Sequence, residues 1–501
     1  MADVTYLRLR ATDPARWTSV ALAWRSWAAA VGQWVSDLAA AIASLTASWT
    51  GAAASAATGR LTDLRQRLTV FRVLCWQADQ ALSEFAAALT RARALLDRAF
   101  TTAGPAGVTI GGDGTLTGPV GTPAAQLTIR TLADALRVAA EGDATAADRL
   151  GALGDVGTPP APPDRLPPCT ATPAEVRQWW DGLTPDQQRW LIATQAAWLG
   201  PLDGIPAAYR DLANRLLLDG RRAEAGPADM REGLDRLTAR LAQGDGPRAY
   251  LLRLDLAGEG RAVVALGDPD RAANVLTQVP GMTADLASYK HELDRAERVA
   301  VRAAQVAPAS ATSTILWLDY DAPDFVDEAA SARQAEDGAP VLRRFQDGLR
   351  ATHLGPPARQ TVLGHSYGSL VVGEAARSPG LAADDVVFVG SPGVGVDSAA
   401  QLRVPEVWSS TSRTDIIQYA AVSPTALPRD LLLAATPVIG PALAFGRPAA
   451  DLWFGHNPSD PAFGAHLFPS QVAGGHLGYW DPGSVALDAI TGITVGSAAS
   501  S

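Results

Sequence analysis

Gly364-His365-Ser366-Tyr367-Gly368 sets a serine between two glycines, in the pattern G-x-S-x-G. Just before it, Thr361–Leu363 is a short apolar, β-branched run that predicts a buried strand. Just after it, Leu370, Val371, Val372 and the alanine-rich stretch to Arg377 predict a helix. Strand, sharp turn and helix are the context in which such a serine becomes a nucleophile. The small residues let strand and helix approach closely, and the hydroxyl is lifted to the top of a sheet at a helix N-terminus. Gly364, His365 and Gly368 are therefore read as the nucleophile elbow around Ser366. A plain strand-to-helix turn is the structural alternative.

An activated serine needs a base within hydrogen-bond reach and an acid that orients the base. Where a G-x-S-x-G serine sits on such a turn, the chain order is serine, acid, histidine. Of six histidines, His291 and His353 precede Ser366 and His365 adjoins it, which leaves His456, His466 and His476. His476, in "QVAGGHLGYWDPGS", follows the last expected strand and two glycines, and is the expected base. His466 opens "HLFPSQV", where alternation puts it at the wrong end; His456, in a proline-rich loop, is the rival. The acids on offer are Asp384, Asp385, Asp397, Asp415, Asp430, Asp451 and Asp460. Asp415 follows the strand expected in "EVWSST", and sites of parallel sheets lie at the carboxyl ends of strands. It is the expected acid, with Asp397 the runner-up and helix capping its structural alternative. Asp384 and Asp385 precede their strand and face the other end.

The anionic oxygen of an acyl-transfer intermediate needs backbone donors. The amide of Tyr367, next after the serine, supplies one. The loop Val279-Pro280-Gly281-Met282 supplies the other; proline has no N–H, so the donor is Met282 or Gly281, with Met282 favoured. "DYDAPDFVDE", Asp319 to Glu328, carries five acidic residues and is read as a solvated loop and not a metal site, with Tyr320 at the pocket mouth. No metal and no cofactor are expected.

The elements that must hold these groups are legible in outline. The 501 residues are 47% hydrophobic and 19% charged, a globular profile long enough for several domains. A net charge of -10 with no basic block argues against nucleic acid and anionic membrane surfaces. Two cysteines, Cys75 and Cys169, give no disulfide framework. The N-terminus lacks a signal-peptide core, and no uncharged apolar stretch is expected to span a bilayer. The most apolar run, Leu431–Phe445, is broken by Pro437 and Pro441 and reads as core or lid.

Residues 1–105 predict two long helices. Trp17, Val20, Trp24, Trp27, Val31, Trp34 and Leu38 form one seam; Leu61, Leu64, Leu68, Phe71, Cys75, Ala78, Leu82, Phe85 and Leu89 form another. The two seams are expected to bury against each other in an antiparallel hairpin. Residues 106–150 predict a small hairpin around Asp113-Gly114 and a further helix. Residues 151–172, rich in proline and glycine, read as a linker. Helical segments over 173–240 lead into 241–495, where strands alternate with helices and imply a mostly parallel sheet covered on both faces; 496–501 is a tail.

Trp49-Thr50-Gly51 lies between the first two helices, and here the chain resembles the WXG family of helical hairpins exported by type VII secretion in actinobacteria. That resemblance implies a helical partner of the same type. The family's export signal places a tyrosine after the second helix, and this chain has no tyrosine between Tyr6 and Tyr209. The location is thus read as cytoplasmic, or exported without a signal peptide. The larger part, from about 245 to 495, resembles an actinobacterial α/β-hydrolase family of largely uncharacterised function. "NVLTQVPGM", "WLDYDAP", "TVLGHSYGSLVVGEAA", "VFVGSPGVGV", "DPAFGA" and "GYWDPGS" carry the likeness, as does "LDGIPAAYRDLANR" upstream. It implies an α/β-hydrolase fold behind an all-helical N-terminal region, with Ser366, Asp415 and His476 as triad positions. Asp319 departs from the pattern, standing where a glycine is expected before "YDAP".

Two functions are open at this stage. One is a serine hydrolase acting on carboxylic ester, lipid or thioester substrates through an acyl-enzyme. The other is a type VII-associated binding or effector protein whose hydrolase domain is secondary or inactive.

Overall fold

The computed structural model describes residues 5–497, except 120, 155, 158, 159, 222–227, 325, 330, 416, 418–449, 472 and 473. Asp430 and the apolar run 431–445 lie outside the described residues. The chain divides into two compact units. One comprises Met1–Leu166, Trp179–Leu199 and Ala242–Arg248; the other comprises Pro167–Gln178, Gly200–Leu241 and Ala249–Ser501.

In the first unit, helix α1 (Pro14–Ser48) starts at Asp13, whose carboxylate accepts the Ala15 amide at 3.0 Å ahead of proline in the first turn. It turns at Trp49-Thr50-Gly51, where Gly51 takes φ +108°, into helix α2 (Ala52–Ala103). Trp17 meets Phe85, Arg25 meets Asp79 and Gly32 meets Arg72, so the two helices run antiparallel. A two-stranded hairpin (Thr109–Ile110 with Leu116–Thr117) and helix α3 (Pro123–Gly151) complete the bundle.

The expected tryptophan seam does not bury. Trp24, Trp27 and Trp34 are exposed, Trp27 by 56%, while Ala21, Ala28, Val31 and Gly32 are buried. The inward face lies one residue along from the expected one, at 21, 25 and 28 instead of 20, 24 and 27, and takes in both Val31 and Gly32. The cause is electrostatic and steric. Asp79 of α2 is fully buried and takes Arg25 (2.9 Å) and Arg248 (3.0 Å) as cationic partners, which turns Arg25 inward. Arg72 crosses the backbone of Gly32, donates to the Ala28 carbonyl at 2.8 Å and leaves no room there for a Cβ. The second seam holds from Cys75 to Leu89; Leu64 and Phe71 on it are exposed. Helix α1 is long and apolar enough, by length and composition, to cross a membrane, which the sequence reading did not expect because charged residues interrupt it.

The second unit is built on an eight-stranded sheet. Its strands are β1 (Ala249–Asp255), β2 (Arg261–Leu266), β3 (Asn274–Val279), β4 (Thr312–Leu318), β5 (Arg359–His365), β6 (Asp385–Val389), β7 (Glu406–Ser410) and β8 (His466–Leu467). The spatial order is β8-β7-β6-β5-β3-β4-β2-β1. β2 runs antiparallel to β1 and β4, and every other pairing is parallel. The last strand is two residues long, shorter than "HLFPSQV" suggested.

Alternation along each strand feeds two cores. Ile315 and Trp317 of β4 and Val362 of β5 join helices α6 (Arg333–Thr352) and α7 (Tyr367–Ala376) on one face. Leu363 of β5 joins α5 (Tyr289–Val306) and α8 (Val485–Thr494) on the other. The strands are buried nearly throughout, as a sheet covered on both faces requires. An upstream helix, α4 (Ala207–Arg221), packs on β1, where Arg210 and Asn214 donate to the carbonyls of Leu252 and Leu251.

Candidate active site

Parallel register brings three loops to one place. Val279 of β3 pairs with Gly364 of β5, His365 with Val389 of β6, and Val389 with Ser410 of β7. The residues that follow, Pro280-Gly281-Met282, Ser366, Gly390 and Thr411–Asp415, therefore leave the sheet side by side at its carboxyl edge.

Ser366 opens α7 with φ +53° and ψ -129°, a conformation that costs a non-glycine residue of the order of 1–3 kcal/mol. The turn is held because its neighbours have nowhere to go. A Cβ on Gly364 would come within 2.4 Å of the Ser369 backbone, and one on Gly368 within 2.3 Å of the Val279 carbonyl. The Ser366 amide donates to the Val389 carbonyl at 3.1 Å, and Ser369 Oγ donates to the Ser366 carbonyl at 2.6 Å. From Gln360 to Gly373 only Ser366 is not fully buried. Among the described residues its hydroxyl has no hydrogen-bond partner.

His476 stands in the loop before Tyr479 and Trp480. Its Nδ1 lies 2.9 and 3.0 Å from the two carboxylate oxygens of Asp415. Gly390 separates this pair from the sheet, since a Cβ there would sit 2.7 Å from Asp415 Oδ2 and 3.1 Å from the imidazole. Asp415 is fully buried. Burial pushes its pKa up, but the His476 charge and hydrogen bond, the Tyr479 hydroxyl and the Ile417 amide outweigh that, and the carboxyl is held below its ordinary value. The carboxylate also accepts the Ile417 amide at 3.0 Å, so the capping geometry and the histidine contact occur together.

The other candidates go elsewhere. His456 Nδ1 pairs with Asp451 at 3.0 Å, and its amide donates to Asp397. Asp460 accepts the Ala462 amide. His466 pairs with Glu406 at the sheet edge. Asp384 and Asp385 bind Arg350 and Arg359 at the opposite end of the strands.

Gly281 faces the serine: a Cβ on it would come 2.7 Å from Ser366 Cβ and 3.2 Å from Oγ. The amides of Gly281, Met282 and Tyr367 have no acceptor among the described residues, whereas the next amide, Thr283 (φ +61°), donates to the Pro323 carbonyl. Tyr320 does not line a pocket mouth. It is buried, stacked on Trp317, and its hydroxyl donates to the Pro280 carbonyl at 2.7 Å, fixing the loop that carries those amides. Asp319 pairs with Arg253 at 2.9 Å instead of entering the site; burial raises its pKa to about 6.

Sequence reasoning missed three members of this cluster. Tyr479 Oη donates to Asp415 Oδ2 at 2.6 Å. Gly390 provides the space just described. His365, read only as an elbow residue, accompanies His476: its Nε2 is 2.9 Å from the His476 carbonyl and the rings are 4.8 Å apart. Burial, with His476 and Arg295 nearby, pushes the His365 pKa well below the imidazole range, so the ring is neutral and Nε2–H donates. The one sequence signal for Tyr479 was its place three residues after His476.

Residues 255–424 match the model of a family described as alpha/beta hydrolase. An uncharacterised protein of Mycobacterium tuberculosis (Rv2079) is 31% identical over 300 residues, 52% of this chain and 46% of the relative. The chain thus spans about half the length of the curated relatives it matches first. An uncharacterised protein of Mycobacterium bovis (Mb0988c) is 35% identical over 187 residues, 35% of this chain and 68% of the relative. A crystal structure of a thermostable esterase from Pseudomonas putida aligns with 51% of this chain and 93% of its own at 13% identity, with a TM-score of 0.19. With the family match over the strands that bear the site, and a relative matched over two thirds of its length, the chain belongs to this alpha/beta hydrolase family.

Proposed function

We propose that the protein is a serine hydrolase that cleaves ester-type bonds (carboxylic ester, lipid or thioester) through an acyl-enzyme. The observation that carries this reading is the buried Asp415 carboxylate on His476 Nδ1, on the same sheet edge as the strained, accessible Ser366. In this mechanism Ser366 Oγ attacks the acyl carbon while His476 Nε2 takes its proton. Asp415 holds the imidazole with Nδ1 protonated and stabilises the imidazolium that forms. The substrate carbonyl oxygen becomes an anion, met by the open amides of Tyr367 and Met282, with Gly281 alongside. His476 then returns the proton to the leaving group, and water repeats the sequence to release the acid.

The test uses the full chain, a fluorophosphonate probe and a small p-nitrophenyl ester. The probe labels the wild type, and Ser366→Ala abolishes labelling and turnover while folding is kept, because only a turn hydroxyl is lost. His476→Ala costs about as much as Ser366→Ala, since the two act as one unit. Labelling that survives in Ser366→Ala, or activity lost in His456→Ala but kept in His476→Ala, sinks the assignment.

A further inference from the structure

We propose that Tyr479 is a positioning residue of the catalytic group, sharing the Asp415 carboxylate with His476 and setting the basicity of that histidine. The inference rests on the serine-hydrolase reading above.

The His476 loop and its acid are tied by more than the ion pair. Tyr479 lies in the single turn Gly478–Trp480, three residues beyond His476, which brings both side chains to one carboxylate. Its hydroxyl donates to Asp415 Oδ2 at 2.6 Å and accepts the Ser412 amide at 3.0 Å. One phenol thus binds the acid and the backbone three residues before it. Gly475 donates to Thr414 Oγ1 and Ser412 Oγ to the Gln471 carbonyl, so the same two loops are stitched on both sides of the acid. Tyr479 is almost wholly buried, and the cost of ionising it there, beside Asp415, keeps its pKa well above the ordinary phenol value. It remains a proton donor.

That donor has an electrostatic consequence. A carboxylate giving part of its charge to a phenol stabilises an adjacent imidazolium less. Removing the hydroxyl leaves Asp415 more strongly charged toward His476, which raises the proton affinity of the imidazole. Among the described residues, the titratable and charged groups packed around this set are His365, neutral beside His476; Arg295, which lies over the Trp480 ring and pairs with Glu292 behind it; and Arg298, which donates to the Trp480 carbonyl and faces Asp481. Among the described residues none of these hydrogen-bonds the Tyr479 hydroxyl, so Tyr479→Phe removes only the bond to Asp415 and the one from the Ser412 amide, and keeps the ring in its packing against Trp480.

The test is the pH profile of kcat/KM for a p-nitrophenyl ester, whose acid limb reports the base of the free enzyme. Tyr479→Phe should move that limb up by about half a pH unit and so lower kcat/KM about threefold on its acid side, with KM little changed. Activity should recover toward wild type above the limb. Site-specific 3-fluorotyrosine at 479, a stronger donor of the same shape, should move the limb the other way. Limbs that superimpose on wild type in both proteins overturn the proposal, whatever happens to Tm. Asp415→Asn and His476→Ala are measured alongside. Activity retained in those two sinks the triad reading itself; activity lost in them, with an unmoved Tyr479→Phe limb, sinks only the role given to Tyr479.

Discussion

Two buried carboxylates at opposite ends of the same sheet are treated in opposite ways. At the carboxyl end, Asp415 has an imidazole on both oxygens and is held below its ordinary pKa despite full burial. At the amino end, Asp270 precedes β3. It accepts the Ala207 amide at 2.6 Å and the Thr352 hydroxyl at 2.5 Å, and its pKa is pushed up to about 7 by burial and then by the neighbouring Asp268. Both are satisfied by hydrogen bonds, so satisfaction is not what separates them. The sign of the nearest charge is: a group that can become a cation at one end, a second carboxylate at the other. At its carboxyl end the sheet keeps an ionised acid against an imidazole. Where it needs a strut between α4 and α6, it uses an acid that protonates near neutrality.

The contrast is broken most sharply at Asp415. Asp415→Asn should lower kcat about ten-thousand-fold, because an amide in that place can favour the wrong imidazole tautomer. Asp270→Asn should leave kcat/KM at the wild-type level. Comparable losses in the two variants would mean that the ends of the sheet are not functionally distinct.

Glycines sharpen the same comparison at a smaller scale. Gly281→Ala drives a methyl toward Ser366 and the His365 carbonyl, and should cost about a hundredfold in kcat/KM by displacing the serine from the open amides. Gly267, after β2 at the amino end, takes φ +86°. Gly267→Ala should cost about 1 kcal/mol of stability, read as a lower urea midpoint, with activity unchanged. An inactive Gly267→Ala, or a fully active Gly281→Ala, would undo the division.

How far these positions could be read beforehand depended on distance along the chain. Ser366 was legible because its strand, turn and helix are consecutive. His476 and Asp415 were legible because chain order and strand ends prune a short list. Tyr479 was not, because its partner lies 64 residues away and nothing local marks a phenol as a carboxylate donor. The helical unit shows a different limit. The spacing of Trp24, Trp27 and Trp34 reveals a stripe, but a stripe one residue away, of Ala21, Arg25, Ala28 and Gly32, fits the same period. The choice between them was made by Asp79, a buried carboxylate on the other helix, and so lay outside the pattern of α1 itself.

The last expected effect leaves activity untouched: it is the pH dependence that Asp270 gives to stability. Its folded pKa, about 7, lies above the unfolded value of about 3.9. Between those values the folded chain binds a proton that the unfolded chain has released. The contribution is therefore full below about pH 4, declines as the pH rises toward 7, and is flat above that, with a total fall of roughly 4 kcal/mol. Asp415 has the reverse sign, its contribution being lost only as the pH drops through its depressed value. Asp270→Asn removes the first dependence and keeps the geometry. The amide oxygen can accept from Ala207, and the amide nitrogen can donate to Thr352 Oγ1, whose own hydrogen turns to the Gly348 carbonyl 3.1 Å away. Urea midpoints of both proteins at pH 5 and pH 8 supply the test, since other titrations cancel in the difference. The variant should gain on wild type between the two pH values. An unchanged gap would mean that Asp270 stays ionised in the folded protein, and that the two ends of the sheet treat a buried carboxylate alike.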